Sequence, residues 1–265
     1  MKRLLIILAS AALPLAVSAQ TVSDLTTDFQ SRTSIGADWK IVKGLHLEGE
    51  YELRTCNSLA DISSHRASLG LSYKITSGLK AGVEYTYIHH HKLNAEKWAP
   101  RHRVSASLSY TLKSGDWRFG LKEQLRMTHK DDANECEEPV NAFTLKSRFK
   151  VSYKGFDKIE PYAFIEGRNL LNAALVNALY STSTNTWGNY SFGGYGFVAP
   201  YFNRIRGAIG LEWSLSRSSA IDFCLMEDYC YVRTIDVDKD RTTLKSFSLD
   251  PSLNTIACIG YKFSF

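Results

Sequence analysis

Hydrophobic and polar residues alternate along most of the chain, and the clearest example is the final segment, residues 254–265. Its odd-numbered positions are mostly apolar or aromatic, whereas its even-numbered positions are mostly polar. Successive side chains of a β-strand point to opposite faces. The pattern therefore predicts a strand with one apolar, aromatic-rich face and one polar face.

The same alternation recurs in ten other segments, which gives eleven predicted strands. These segments are residues 29–40, 45–54, 66–75, 79–87, 103–112, 117–127, 143–153, 159–168, 204–215 and 221–231. A soluble antiparallel sheet also alternates. However, most of these segments have about ten residues or more, which suits a tilted membrane strand, whereas soluble strands average about five or six.

The connections between the predicted strands alternate between short and long. The short ones are residues 43–44, 76–78, 114–116, 155–158 and 216–219, and the long ones are 56–63, 92–100, 130–141, 170–200 and 235–250. Short periplasmic turns and longer extracellular loops are typical of outer-membrane barrels. We therefore predict an all-β fold, an antiparallel transmembrane β-barrel.

Bacterial barrels usually have an even number of strands, whereas the pattern gives eleven. We favour twelve strands, with ten as the alternative. The missing or misread strand is expected within residues 21–28 or within residues 170–200.

Aromatic residues mark both ends of the apolar face, as expected for girdles at the two membrane interfaces. Beside the short turns they are Trp39, Tyr73, Trp117, Tyr153, Trp213 and Phe265, and beside the long loops they are Tyr85, Tyr87, Tyr229 and Tyr231.

The amino-terminal segment predicts export. Met1-Lys2-Arg3 is followed by an apolar stretch to Val17, and Val17-Ser18-Ala19 is a small-x-small cleavage site. The apolar stretch is too short to cross about 30 Å of hydrocarbon. We predict a signal peptide at residues 1–19, one barrel domain at 20–265, and location in the outer membrane. The final Phe265 resembles the residue that addresses such chains to the barrel assembly machinery.

Charge and cysteine content add little about function. Loss of the predicted signal peptide removes Lys2 and Arg3 and no acidic residue, so the net charge falls from +5 to +3, which is too mild to indicate a nucleic-acid partner. The five cysteines leave two disulfide alternatives, Cys56 with Cys136, and Cys258 with Cys224 or Cys230. Small residues that simply fill a wall or lumen are the other interpretation.

The polar faces of the predicted strands define the lumen, and polar lumen linings are normal in such barrels. Acidic side chains concentrate in the early strands and basic ones in the later strands. Predicted to line the lumen are Glu48, Glu50, Glu52, Arg54, Arg66, Glu84, Arg118, Arg126, Arg148, Glu166, Arg168, Arg204, Arg206 and Glu212, with Lys146 and Lys150 on the same face.

Two roles follow from such a lumen. One is a structural barrel that is filled and stiffened by ion pairs. The other is a narrow, porin-like channel whose arginines attract small anionic solutes, since walls of one charge focus the field. The predicted partners are outer-membrane lipid, the assembly machinery and small solutes.

Two other classes of function remain as alternatives. A lipid-modifying hydrolase would use His65, His89 or His102 on the outer face, but no Gly-x-Ser-x-Gly motif is present, so we predict no enzyme. His89-His90-His91 alternate between faces and cannot converge on one ion, and we predict no metal or cofactor. A surface-displayed binding barrel would act through the long loop at 170–200.

Several short motifs resemble the uncharacterised outer-membrane family catalogued as domain of unknown function 2490. They are Trp39, Glu-x-Glu-x-Arg at residues 50–54, Arg101-His102-Arg103-Val104, and the segments 161–166, 204–212 and 260–263. The resemblance implies a Gram-negative outer-membrane barrel without an established activity. No functional residue follows from it.

Overall fold

The computed structural model describes residues 21–133, 138–183, 186–237 and 244–265. The predicted signal peptide and Cys136 lie outside the described residues. The strands are β1 Thr21–Val22, β2 Thr26–Val42, β3 Leu45–Cys56, β4 Asp61–Lys74, β5 Leu79–Lys92, β6 Lys97–Ser114, β7 Trp117–Lys130, β8 Asn141–Tyr153, β9 Ile159–Leu170, β10 Ala174–Ser181, β11 Thr186–Tyr195, β12 Tyr201–Ser214, β13 Ser219–Val237 and β14 Leu244–Ser264.

Eleven strands, β2–β9 and β12–β14, form a closed barrel. Neighbours in the barrel pair antiparallel, except at one seam where β14 pairs with β2 in parallel, from Ser252 beside Thr26 to Ser264 beside Asp38. The two-residue β1 continues this seam against β14. The predicted all-β barrel is therefore confirmed.

The strand number differs from the predicted twelve, and also from the alternative of ten. An antiparallel sheet closes on itself only with an even number of strands, because adjacent strands must run in opposite directions. The parallel seam removes this requirement. Residues 21–28 do contain the expected short strand, β1, which pairs with β14 and brings the sheet to twelve strands, although eleven strands close the barrel. The described part of 170–200 adds no barrel strand, and the eleven segments of the alternating pattern are the barrel strands.

Tight turns join the strands at one rim. Gly44 and Gly115 occupy the left-handed region, with φ of +87° and +58°, which glycine adopts without the steric penalty of a Cβ atom. The connections at the opposite rim are shorter than predicted. β3 and β4 leave only residues 57–60 between them, and β5 and β6 leave residues 93–96, which contain the 3-10 turn Leu93–Ala95.

The predicted long loop at residues 170–200 contains β10 and β11, an antiparallel hairpin that forms a separate two-stranded sheet. The predicted loop at 235–250 is also partly strand, because β13 extends to Val237 and β14 begins at Leu244. Both segments are rich in polar residues, so the alternation that marks a barrel strand is weak there.

The two faces of the barrel differ as the alternation predicted. On the outer face, Ile35, Leu69, Val83 and Ile209 are 58–65% exposed. Polar side chains such as Gln124 and Glu166 are buried on the inner face. No helix in the described residues is long and apolar enough to cross a membrane.

Part of the lumen has a small apolar core. Ala208, Met226 and Ile256 form a buried cluster on β12, β13 and β14, against which Phe164, Cys224 and Cys258 pack. One side of the lumen is therefore filled by side chains from the last barrel strands.

Candidate lumen site

Glu166 on β9 is the centre of a buried group of ion pairs inside the barrel. Its side chain is only 3% exposed and lies 2.7 Å from Lys146 Nζ, 2.6 Å from Arg148 Nη2 and 3.3 Å from Arg206 Nη1. β8 and β12 flank β9 on its two sides, so their inward side chains converge on this carboxylate.

A second carboxylate, Asp228 on β13, extends the group. Arg206 Nη2 donates to Asp228 Oδ2 at 2.6 Å, and Arg204 Nε lies 3.2 Å from Asp228 Oδ1. Arg206 therefore joins Glu166 to Asp228. We call these six residues the ion-pair network: Lys146, Arg148, Glu166, Arg204, Arg206 and Asp228.

The opposite wall of the lumen has far fewer carboxylates near its arginines. Glu52 on β3 lies 2.6 Å from Arg54 Nη2 and 3.9 Å from Arg66 Nε. Both arginine side chains are about one-fifth exposed, so they remain in contact with solvent.

Four further inward arginines make contacts only with neutral groups. Nε of Arg103 donates to Thr128 Oγ1 at 3.0 Å, that of Arg126 to Gln124 Oε1 at 3.0 Å, and that of Arg168 to Asn203 Oδ1 at 2.9 Å. Arg32 Nε is buried without a hydrogen-bond partner. Among the described residues, no carboxylate oxygen lies within 4.0 Å of the guanidinium nitrogens of these four.

We call six inward arginines outside the ion-pair network, away from the short turns, the lumen arginine cluster. Arg103 is close enough to Arg54, Arg126 and Arg168 for mutual repulsion, and Arg66 is close enough to Arg32. The cluster consists of Arg32, Arg54, Arg66, Arg103, Arg126 and Arg168.

Two carboxylates lie near the cluster on its short-turn side. Glu84 accepts hydrogen bonds from Thr86 Oγ1 and Ser105 Oγ, each at 3.3 Å. Glu50 is exposed and has no ion pair in the part of the chain that the structure describes. Nearer the short turns, Glu48 pairs with Lys80 at 2.7 Å.

The structure thus brings together most of the residues that the sequence predicted for the lumen, but not all of them. Arg118 and Glu212 lie near the short turns and take part in no ion pair within the described ranges. Lys150 Nζ lies 3.9 Å from the ring centroid of Tyr162, a cation–π contact. The predicted list omitted Arg32, Arg103 and Asp228, although all three occupy the polar face of the alternating pattern.

The predicted aromatic residues lie on the outer face near the two rims. Near the short turns, the rings of Trp117 and Tyr153 are 4.9 Å apart. The hydroxyl of Tyr231, near the other rim, donates to the backbone carbonyl of Phe202. The other predicted girdle residues are all exposed: Trp39, Tyr73, Trp213, Phe265, Tyr85, Tyr87 and Tyr229.

The rim histidines that a hydrolase would need have other partners. Nδ1 of His65 and of His102 lies 2.6 and 2.7 Å from a tyrosine hydroxyl, and the ring of His89 stacks on Trp98 with centroids 4.8 Å apart. No histidine ring among the described residues hydrogen-bonds to a serine hydroxyl. The geometry therefore gives no support to a Ser–His nucleophile.

The His89–His91 run follows the alternation of its strand. The rings of His89 and His91 both stack on Trp98, whereas His90 pairs with Ser64, a buried residue of the inner face. Across the described ranges, no three His, Cys, Asp or Glu side chains are grouped so that they could hold a metal ion.

Cys224 and Cys258 are direct neighbours across β13 and β14, yet both are free thiols, as are Cys56 and Cys230. The backbone N–H of Ser264 donates to Ser218 O, which places Cys224 and Cys258 at a hydrogen-bonded position of the ladder. Cβ atoms at such positions are about 5.5 Å apart, further than the 3.5–4.5 Å or so of a disulfide. The register therefore favours the free thiols.

A separate ion-pair group joins Asp132, in the connection after β7, to residues of β5 and β6. Asp132 lies 2.7 Å from Lys92 Nζ and 3.3 Å from Arg101 Nε. Burial alone would raise the pKa of Asp132, but the hydrogen bonds and charges of Lys92 and Arg101 outweigh it and lower this pKa from 3.8 to about 2.

We expect this connection to make the barrel sensitive to acid. Because the pKa of Asp132 is lower in the folded state, its contribution to stability is complete above pH 3.8 and is lost as the pH falls through about 2. Asp132→Asn should therefore lose less stability than the unmodified protein between pH 5 and pH 2. Denaturant unfolding in detergent micelles at several pH values measures the free energy of unfolding of both proteins. The prediction would be contradicted if this free energy fell equally with pH in the variant and in the unmodified protein.

No protein-family model matches the chain, and a search of curated proteins found no match.

Proposed function

We propose that this protein is an integral barrel of the Gram-negative outer membrane that conducts small anions through a narrow lumen. The observation that carries the proposal is the lumen arginine cluster, which leaves an excess of positive charge inside a closed barrel. The short turns would face the periplasm and the longer connections the exterior. The resemblance to domain of unknown function 2490 remains a prediction that agrees with this location.

The outer face supports a membrane environment. Apolar side chains that are more than half exposed surround the barrel, and a soluble monomer rarely exposes apolar patches larger than a few hundred Å². Aromatic residues near both rims suit the two interfaces of a bilayer.

The lumen supports selection by charge. The ion-pair network and the apolar core fill the side of β9 and β12–β14. The wall of β2–β7 carries most of the lumen arginine cluster, and its arginines and the exposed Glu50 are in contact with solvent. A passage along this wall would be narrow and positively charged, which concentrates anions and repels cations.

Planar-bilayer recording of the refolded protein in a KCl gradient tests the proposal. We expect a small conductance whose reversal potential lies closer to the equilibrium potential of chloride than to that of potassium. In the double variant Arg103→Gln, Arg126→Gln, the preference for anions over cations should fall several-fold. Arg118→Gln, on the same strand as Arg126 but near the short turns, should keep the preference. A silent bilayer or cation selectivity would overturn the proposal.

Arg206 is a poor choice for this experiment. Its side chain is 6% exposed and bridges Glu166 and Asp228, so its removal would leave two buried carboxylates short of a partner. Arg103 and Arg126 are better choices, because their hydrogen-bond partners are neutral and their replacement leaves no carboxylate without its ion pair.

A further inference from the structure

We infer that the lumen arginine cluster is a binding site for a small oxyanion such as inorganic phosphate. The inference rests on the charged lumen described under the proposed function and names its ligand class. It does not require that ions pass through the barrel, because the same site could hold a resident anion.

The first argument is charge. Six guanidinium groups face the lumen, two of them, those of Arg32 and Arg54, directly opposite across β2 and β3. Among the described residues, Glu52 is the one carboxylate within 4.0 Å of any of the six. Burial of an ionised group is strongly unfavourable unless the charge is paired. Glu50 and Glu84 offset part of the excess from a greater distance, as do Glu166 near Arg126 and Asp228 near Arg168. Since Glu166 and Asp228 are already paired with four cations of the ion-pair network, the remaining positive charge favours an anion from solution.

The second argument is unused hydrogen-bonding capacity. Each guanidinium has five N–H donors. Arg103 and Arg126 each use Nε on a neutral side-chain oxygen, and their Nη groups make no hydrogen bond within the described part of the chain. Arg32 Nε is buried without a partner. An anion among these side chains would accept the free donors.

The third argument concerns the kind of anion. The planar guanidinium fork matches two oxygens of a phosphate or carboxylate in a bidentate arrangement. Chloride offers a single acceptor atom and cannot use this geometry. Several arginines from different strands suit a tetrahedral anion, which presents oxygens in several directions.

The neighbouring carboxylates set the limits of the site. Glu52 is held by Arg54, and Glu84 is held by two hydroxyl groups. Glu52 would repel an anion beside Arg54 and Arg66, and Glu84 would repel one on the short-turn side of the cluster. The anion would therefore lie toward Arg103, Arg126 and Arg168, away from Glu50 and Glu84.

Calorimetric titration of the full chain in detergent micelles tests the site. Inorganic phosphate is added at constant ionic strength, so that simple screening does not change during the titration. We expect saturable binding that weakens at least tenfold in Arg103→Gln and in Arg126→Gln. Arg118→Gln should bind as the unmodified protein does, and circular dichroism checks that each variant is folded.

Arg103→Lys provides a second variant in case the glutamine variants do not fold. It keeps the charge and removes the fork, so we expect an intermediate affinity. Absence of saturable binding, equal affinity in all variants, or an equal response to added chloride would each overturn the oxyanion site.

The titration and the bilayer recording have distinguishable outcomes for the binding site and for the channel. Phosphate binding without conductance would leave the site standing and overturn conduction. Anion-selective conductance without saturable phosphate binding would overturn the site alone.

Discussion

Replacement of Glu166 by Gln should destabilise the folded barrel by about 3–5 kcal/mol, the range for removal of one partner from a buried ion pair. The Glu166 carboxylate compensates Lys146, Arg148 and Arg206 together. The amide has nearly the same shape but no charge, so Lys146 and Arg148 would lose their carboxylate partner, and Arg206 would keep only Asp228, which it shares with Arg204.

A matched control lies at the short-turn end of the lumen. Glu48 also pairs with a lysine, but its side chain is 40% exposed and that of Lys80 is 45% exposed. Exposed ion pairs contribute about 0–1 kcal/mol, so Glu48→Gln should have little effect. Denaturant unfolding in detergent micelles, followed by tryptophan fluorescence, compares the two. An equal loss of unfolding free energy in Glu166→Gln and Glu48→Gln would show that burial of the ion pairs around Glu166 does not determine their contribution to stability.

The second large effect is expected at Gly210 on β12. A Cβ atom there would lie 2.6 Å from the backbone oxygen of Phe223 and 2.6 Å from Cζ of Tyr162. The Tyr162 ring cannot move freely, because its hydroxyl donates to Asp222 Oδ2 at 3.0 Å. Gly210→Ala should therefore destabilise the barrel by about 1–3 kcal/mol, as overpacking does elsewhere.

Gly207 on the same strand provides the control, since a Cβ atom there would meet no atom within 4 Å. Gly207→Ala should be neutral or stabilise by up to about 1 kcal/mol, because alanine restricts the unfolded chain more than glycine does. The midpoints of thermal unfolding of the two variants give the comparison. A Gly210→Ala protein as stable as Gly207→Ala would contradict the packing described for β9, β12 and β13.

The sequence predicts the barrel well because its signal is local. Alternation identifies each strand and its two faces, and turn residues such as Gly44 and Gly115 identify the hairpins between antiparallel neighbours. The parallel seam between β2 and β14 has no comparable signal. No turn joins these strands, and their side chains alternate as they would in any other pairing, so the preference for an even number of strands led to twelve.

The candidate site could be predicted only in part, for a similar reason. The polar face shows that Arg54, Arg126 and Arg206 point inward, but it does not show which arginine meets which carboxylate. Glu166, Asp228 and Arg206 lie on three strands, and their contact depends on the register of each pairing. The difference between the paired Arg206 and Arg103, which has only a neutral partner, is therefore visible only in the folded barrel.

The parallel seam has a consequence for protein engineering. Since β2 and β14 run in the same direction from Thr26 and Ser252, the start of β2 and the end of β14 lie at opposite rims. Fusion partners attached at these two points would stand at opposite ends of the barrel. A circular permutant would need a linker that runs about 40 Å along the wall, at roughly 3.3 Å per residue, rather than the short loop that suffices when both ends share a rim.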